Sequence, residues 1–277
     1  MQWITALERL RSRREPGVLV TVVAVRGHAP REAGAKMVVG ADAAWGSIGG
    51  GNLEAVAVER ARTMLLSAGD EPVLLTADLS DKAPVEHGVQ CCGGEVTVLL
   101  EPLSVVPAVA VFGVGHVGLE LARILARHDL DLHLVDSRPE QLGDETLRCL
   151  DDAVARVHRH HVPVLPELVL GGLPAGTHVL VMTHDHAEDA AILDAALRTP
   201  HLGPIGLIGS SAKWARFRRK LLAEGHTEAD LSRVTTPIGV PDLTGKQPAV
   251  IALGVATALL REFEHRDASR PSRVTGG

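Results

Sequence analysis

The chain has 277 residues, 45% of them hydrophobic but only 2% aromatic, with no tyrosine. It has length for one large or two ordinary domains, whose cores must be built from Val, Leu, Ile and Ala. A formal net charge of -6 argues against an electrostatic nucleic-acid binder, and no apolar run approaches the ~20 residues that a membrane span requires. The N-terminal stretch carries charge and lacks the apolar h-region of a signal peptide, and three cysteines, two of them adjacent, make no disulfide framework. A cytoplasmic, reduced protein with neither nucleic acid nor membrane as partner is expected.

In chain order, residues 2–14 put Trp3, Leu7 and Leu10 on one helical face, closed by Pro16 and Gly17. Residues 18–25 are a β-branched run, expected as a buried strand, and residues 36–39 begin another. A glycine-rich stretch at 45–54 then leads into a helix from about 53 to 67. Residues 72–77 form a strand, 78–90 a polar loop, and 95–100 a further strand ending at Glu101-Pro102. Residues 103–107, bracketed by two prolines, are the candidate linker. This divides the chain into an α+β domain over 1–104 and a second domain over 105–277, with a disordered tail expected at 266–277.

The second domain opens on residues 108–112, an apolar run of the kind a buried parallel strand presents on both faces. Gly113, Gly115 and Gly118 then match G-x-G-x-x-G. The first permits a tight strand-to-helix turn, the second lets backbone approach a phosphate, and the third lets the helix pack on its strand with its N-terminus facing the anion. A strand at 130–135 ends on Asp136, 18 residues after Gly118, where a carboxylate can accept hydrogen bonds from a ribose. Strands at 179–182 and 204–208 follow, each leading into a helix. Residues 250–260 are apolar almost all round, as in a buried or subunit-contact helix, so a homodimer is among the expectations. The pattern predicts a Rossmann-like, doubly wound parallel sheet.

Each candidate site has a structural alternative. Gly49, Gly50 and Gly51 would present backbone N–H groups to a phosphate or carboxylate, or would only make a turn. Glu54 in the following helix could touch the ligand or complement the helix dipole. Cys92, with Gly93 and Gly94 removing bulk beside it, is either an accessible soft thiolate or a small buried apolar residue. His184 and His186 sit at a strand's carboxyl end, where imidazoles can donate hydrogen bonds or ligate a metal. Asp185 with Glu188 reads there as a capping box. Ser210 and Lys213 fit the Ser-x-x-Lys pattern of penicillin-recognising hydrolases, but the partner motifs are absent; accident is the better explanation, with Ser210 as a helix cap or phosphate contact. The Arg-rich patches at 9–14 and 216–220 fall on expected helices and read as solvated faces.

With Gly46-Ser47-Ile48-Gly49-Gly50-Gly51-Asn52-Leu53-Glu54, Cys92-Gly93-Gly94 and Glu101-Pro102, the first domain resembles the XdhC/CoxI family. The second resembles it through the glycine turn with His116, through Asp136-Ser137-Arg138 and Thr183-His184-Asp185-His186, and through Ile208-Gly209-Ser210 and Pro237-Ile238-Gly239. Gly27-His28-Ala29-Pro30-Arg31 departs from the family's usual Gly-Ser-Ser-Pro-Arg. The resemblance implies a xanthine dehydrogenase accessory protein that binds molybdenum cofactor (molybdopterin) as cargo and protects it during sulfuration by a cysteine desulfurase. It then delivers the cofactor to the apo-subunit of a molybdenum hydroxylase. Gly49 to Gly51, Glu54, Cys92, Gly93, Gly113, Gly115, His116, Gly118, Asp136, His184, His186 and Ser210 are then the cofactor contacts, with Cys92 near molybdenum and no catalytic residue. Two other readings compete: an NAD(P)-dependent oxidoreductase in which Asp136 holds the ribose, and a partner-binding module whose Rossmann fold is only scaffold.

Overall fold

The computed structural model describes residues 2–67, 71–79 and 94–268, with side chains to residue 265. It separates into two units, residues 1–105 with 265–277 and residues 106–264.

The first unit begins with α1 (Gln2–Arg13), which buries Ala6 and Leu10. Strands β1 (Gly17–Arg26), β2 (Lys36–Val39) and β3 (Ala44–Gly46) precede α2 (Gly51–Ser67); β4 (Val73–Asp78) and β5 (Glu95–Leu103) complete the unit. The strands form one sheet in the order β3-β2-β1-β5-β4, and every pairing is antiparallel. On one face Val18, Val20 and Val22 join Val96, Val98 and Leu100 beneath Leu53, Ala57, Ala61 and Met64 of α2. On the other, Val38 packs against Ala6 and Leu10 of α1.

Two details differ from the sequence expectation. The run at 18–25 is not buried throughout: the β1–β5 register slips between Val22 and Ala24, and Val23 is left 43% exposed. A bulge turns alternate side chains to the other face, which composition alone does not reveal. The strand expected to stop at Glu101-Pro102 continues to Leu103, which pairs with Gly17.

The second unit is a parallel α/β sheet. Strand β6 (Ala108–Phe112) leads through a turn into α3 (His116–Leu125) and β7 (Asp131–Asp136). The short α4 (Asp144–Leu147) precedes β8 (Arg156–His161). Next come β9 (His178–Val181), α5 (His186–Leu197), β10 (Ile205–Leu207), α6 (Ser211–Ala223), α7 (Glu228–Leu231), β11 (Val234–Thr235) and α8 (Pro248–Ala268). The order β11-β10-β9-β6-β7-β8, all parallel, is the 3-2-1-4-5-6 arrangement of the Rossmann fold counted from β6. All five residues of β6 are buried, as a central strand covered on both faces requires.

Two cores sandwich this sheet. Val109 and Val111 face Leu121, Leu125, Val255 and Leu259 of α3 and α8, while Ala110 and Phe112 face Ile192, Leu193 and Phe217 of α5 and α6. Helix α8 is thus buried along one side, and Leu253 on the other is 51% exposed. It also continues through 266–268, where a tail was expected, with Arg261, Glu262 and Glu264 as good helix formers leading into that last turn; residues 269–277 lie outside the described residues. No helix among the described residues is long and apolar enough to cross a membrane.

Candidate functional site

The chain reverses its direction of sheet growth between β6 and β9, and the carboxyl ends of these strands define the crevice in which doubly wound sheets bind ligands. The turn after β6 is there for two reasons that separate its glycines. Gly113 has φ +100°, and a Cβ on it would sit 2.7 Å from Thr183 Cα and overlap the Met182 carbonyl. A Cβ on Gly118 would overlap the Gly113 carbonyl oxygen. Both positions are therefore set by backbone packing of β6 against its neighbours. Gly115 is different: a Cβ there would meet only Arg138 Nη2, at 3.9 Å. Gly115 is the N-cap of α3 and supplies no side-chain cap, so the first-turn amides beginning at His116 are presented without one.

Asp136, at the end of β7, does not stand free for a ribose. Its Oδ2 accepts the Val114 N–H at 2.7 Å and Arg138 Nη2 at 2.9 Å, while its Oδ1 accepts the Arg138 backbone N–H at 3.0 Å and Nε at 2.9 Å. Burial pushes this carboxyl up, but the hydrogen bonds from Arg138 and Val114 outweigh it and hold the group below the usual carboxylate range. The Asp136 side chain is 2% exposed and that of Arg138 30%. What reaches the ligand side of the turn is therefore a guanidinium, fixed by a buried carboxylate. A cation at the start of a helix complements an anion such as phosphate.

The end of β9 is braced by a second buried carboxylate. Asp189 Oδ1 accepts from Thr183 N at 3.0 Å and Thr183 Oγ1 at 2.8 Å. Its Oδ2 pairs with Lys213 Nζ at 2.5 Å, and the same ammonium donates to the Ile208 carbonyl at 3.0 Å. One lysine thereby links the loops after β9 and β10. The Ser-x-x-Lys spacing, read from sequence as accident, is what places it: Ser210 caps α6 by accepting the Lys213 N–H, and Lys213 turns inward one helical turn on.

His184 and His186 are both exposed, with the His186 ring edge-on to Phe217 at 6.3 Å. The capping box expected at Asp185 is half made. Asp185 accepts from the Ala187 and Glu188 amides, but Glu188 turns to Ser137 Oγ at 3.5 Å, and the Asp185 N–H goes to Thr183 Oγ1. Burial raises the Glu188 carboxyl, with His184 opposing and Asp136 adding to the rise. Glu188 thus faces the crevice, which a capping role hides in sequence. No group of three or more His, Cys, Asp or Glu suited to a metal occurs among the described residues.

In the first unit, the glycine loop before α2 is filled by the chain itself. Glu54 Oε2 accepts from Ser47 Oγ at 2.6 Å, Ile48 N at 3.1 Å and Gly50 N at 3.0 Å, and Gly49 N donates to Ser47 Oγ. The amides expected to face an outside anion at 49 and 50 are satisfied by Glu54 and Ser47. Gly94, expected to relieve bulk beside the thiol, has a structural reason as well: a Cβ would overlap the carbonyl oxygen of His28. Cys92, Gly93 and Cys91 lie outside the described residues.

Fold and turn together define a class: a Rossmann domain with an arginine-flanked glycine turn, joined in sequence to an antiparallel α+β unit. The model described as the XdhC Rossmann domain matches residues 109–259, and that described as the XdhC and CoxI family matches residues 10–77. The chain belongs to the XdhC family. It is 26% identical over 262 residues to the uncharacterized protein YqeB of Escherichia coli (strain K12), covering 94% of this chain but 46% of YqeB. The chain thus spans under half the length of that relative. It is 25% identical over 283 residues to the molybdenum cofactor insertion chaperone PaoD of the same organism, covering 92% of this chain and 86% of PaoD. A crystal structure described as a xanthine dehydrogenase from Bacillus halodurans is 20% identical, covers 98% of each chain and has a TM-score of 0.49.

Proposed function

We propose that the protein is an accessory factor that binds molybdenum cofactor as cargo, shields it during sulfuration and delivers it to xanthine dehydrogenase or a related molybdenum hydroxylase. The observation that carries this reading is the Arg138 guanidinium held over the uncapped start of α3 beside Gly115. The cofactor ends in a phosphate or a nucleotide pyrophosphate, and helix amides with an adjacent guanidinium are a seat for such a group. The likeness to PaoD supports the choice of cargo.

In this reading the protein captures rather than turns over. Gly113, Gly115, His116 and Gly118 form the phosphate turn, Asp136 acts by holding Arg138, and His184, His186 and Ser210 offer polar contacts from the neighbouring strand ends. Cys92 with Gly93 supplies a soft thiolate for molybdenum or for the sulfur being inserted. Gly49, Gly50, Gly51 and Glu54 would touch cargo only after Glu54 releases the loop amides. The partners are the apo-hydroxylase, a cysteine desulfurase and a second copy of the chain.

The test is equilibrium binding of the purified protein to molybdenum cofactor and, separately, to NAD(P), with Cys92→Ser and Gly115→Ala alongside. Cofactor binding weakened by both substitutions supports the carrier. NAD(P) binding alone, indifferent to Cys92, overturns it and favours an oxidoreductase.

A further inference from the structure

The cations of α6 divide by whether a carboxylate answers them. Arg218 pairs with Glu228, Lys220 lies 3.7 Å from Glu224, and Lys213 is taken up by Asp189. Arg216 and Arg219 have no carboxylate partner among the described residues; Arg219 Nε reaches only the Ala215 carbonyl, at 3.4 Å. These two unanswered guanidiniums are the ones that line a cavity of about 650 Å³, whose other walls include His186, Gly209, Ser210 and Lys213. They lie three residues apart, on one face of the helix.

Several features point to a small anionic ligand. The volume falls within the ~300–1,000 Å³ of small-molecule sites. The cavity opens at the carboxyl end of β10, the edge of the sheet that binds ligands in this fold. No carboxylate among the described residues lines it, and the acid that pairs with its Lys213 wall, Asp189, is itself buried. In a chain of net charge -6, leaving two arginines unpaired over one concave volume favours an anion there. A guanidinium pairs bidentately with carboxylate or phosphate, and a phosphate or pyrophosphate has oxygens enough to engage two guanidiniums at once. Strand β10 is separated from β6 by β9, which places this cavity on the order of 10 Å along the sheet from the glycine turn. It shares His186 and Ser210 with the cargo contacts proposed above, but its two guanidiniums are not that of Arg138.

We propose that this cavity is a second oxyanion subsite, in which Arg216 and Arg219 hold a phosphate or pyrophosphate group of a small molecule. The assignment stands whether or not the glycine turn carries molybdenum cofactor.

The experiment is calorimetric titration of the full chain with inorganic pyrophosphate and inorganic phosphate at constant ionic strength. It compares the wild type with Arg216→Ala/Arg219→Ala, with Arg218→Ala and with Gly115→Ala, each checked for unchanged melting. Pyrophosphate affinity should fall by at least about tenfold in the double variant, by the same factor when that change is made in the Gly115→Ala background, while Arg218→Ala stays within about twofold of wild type. Failure of the wild type to bind pyrophosphate overturns the proposal. An equal loss in Arg218→Ala, or a loss in Gly115→Ala without one in the double variant, does so too. Gly115→Ala that loses molybdenum cofactor yet keeps pyrophosphate separates this subsite from the cargo turn; loss of cofactor binding in every form would remove the cargo reading and leave this one intact.

Discussion

Arg138 grips Asp136 with two parallel hydrogen bonds, Nε to Oδ1 and Nη2 to Oδ2, each 2.9 Å long. The carboxylate that sequence offers to a ribose instead fixes a cation above the glycine turn, and through the Val114 amide it fixes the turn itself.

Removing that cation should be costly in a pH-dependent way. Arg138→Ala leaves a buried carboxylate with only backbone partners and should lower stability by roughly 2–3 kcal/mol at neutral pH. The Asp136 carboxyl is held below its ordinary value in the folded chain. Its contribution is therefore full above the unfolded value, about 3.9, and is lost as pH falls through the folded one. Urea unfolding across the acid range should show wild type losing stability below about pH 4, and Arg138→Ala losing less.

The three glycines of the turn should not respond alike. Gly113→Ala and Gly118→Ala force a Cβ into backbone and should each cost at least about 2 kcal/mol. Gly115→Ala, with open space, should cost about 1 kcal/mol or less, the difference between glycine and alanine at an N-cap. Thermal melts check the ranking; equal losses at all three would show that the close approaches do not govern the turn.

Lys213→Met should destabilise by about 3–5 kcal/mol, because Asp189 is wholly buried and would be left with only Thr183. Adding Asp189→Asn removes the orphaned charge and should recover part of the loss. A double-mutant cycle by denaturant unfolding measures the coupling, and additive losses would refute it.

Glu54→Ala should free the amides of Ile48 and Gly50, at about 1–3 kcal/mol. An external anion should then take the vacated place. Sulfate should raise the melting temperature of Glu54→Ala more than that of the wild type, and identical sulfate responses would show that the loop cannot accept an outside anion.

Three histidines on adjacent strands supply a second pH dependence. His133 stacks on His158 with centroids 4.4 Å apart, and His133 Nδ1 lies 3.0 Å from His160 Nε2. Burial, and after it the charge of His158, lowers the His160 pKa. The unfolded chain therefore binds the proton more readily, so stability holds above the ordinary histidine value of about 6.5 and declines as pH falls from there through the folded value. His160→Gln should flatten that decline in melting temperature; a profile unchanged by the substitution would place the titration elsewhere.

Much of this protein was legible in sequence because the signals are local. An apolar run followed by G-x-G-x-x-G, a helix and a second strand reads as a Rossmann start from neighbouring residues alone, since strand burial and helix period are properties of short segments. Even Ser210 as a cap follows from its position. What the tertiary structure decided is which polar groups are already spoken for. Asp136 and Glu54 look like ligand contacts until Arg138, Val114, Ser47 and Gly50 are seen to satisfy them. Lys213 looks accidental until Asp189, 24 residues away, comes within 2.5 Å. Val23 looks buried until a bulge turns it out. A side chain's type states what bonds it can make. Only the approach of segments distant in the chain determines whether a carboxylate meets a ligand or a neighbour, because burying it unpaired would cost more than the fold can spare.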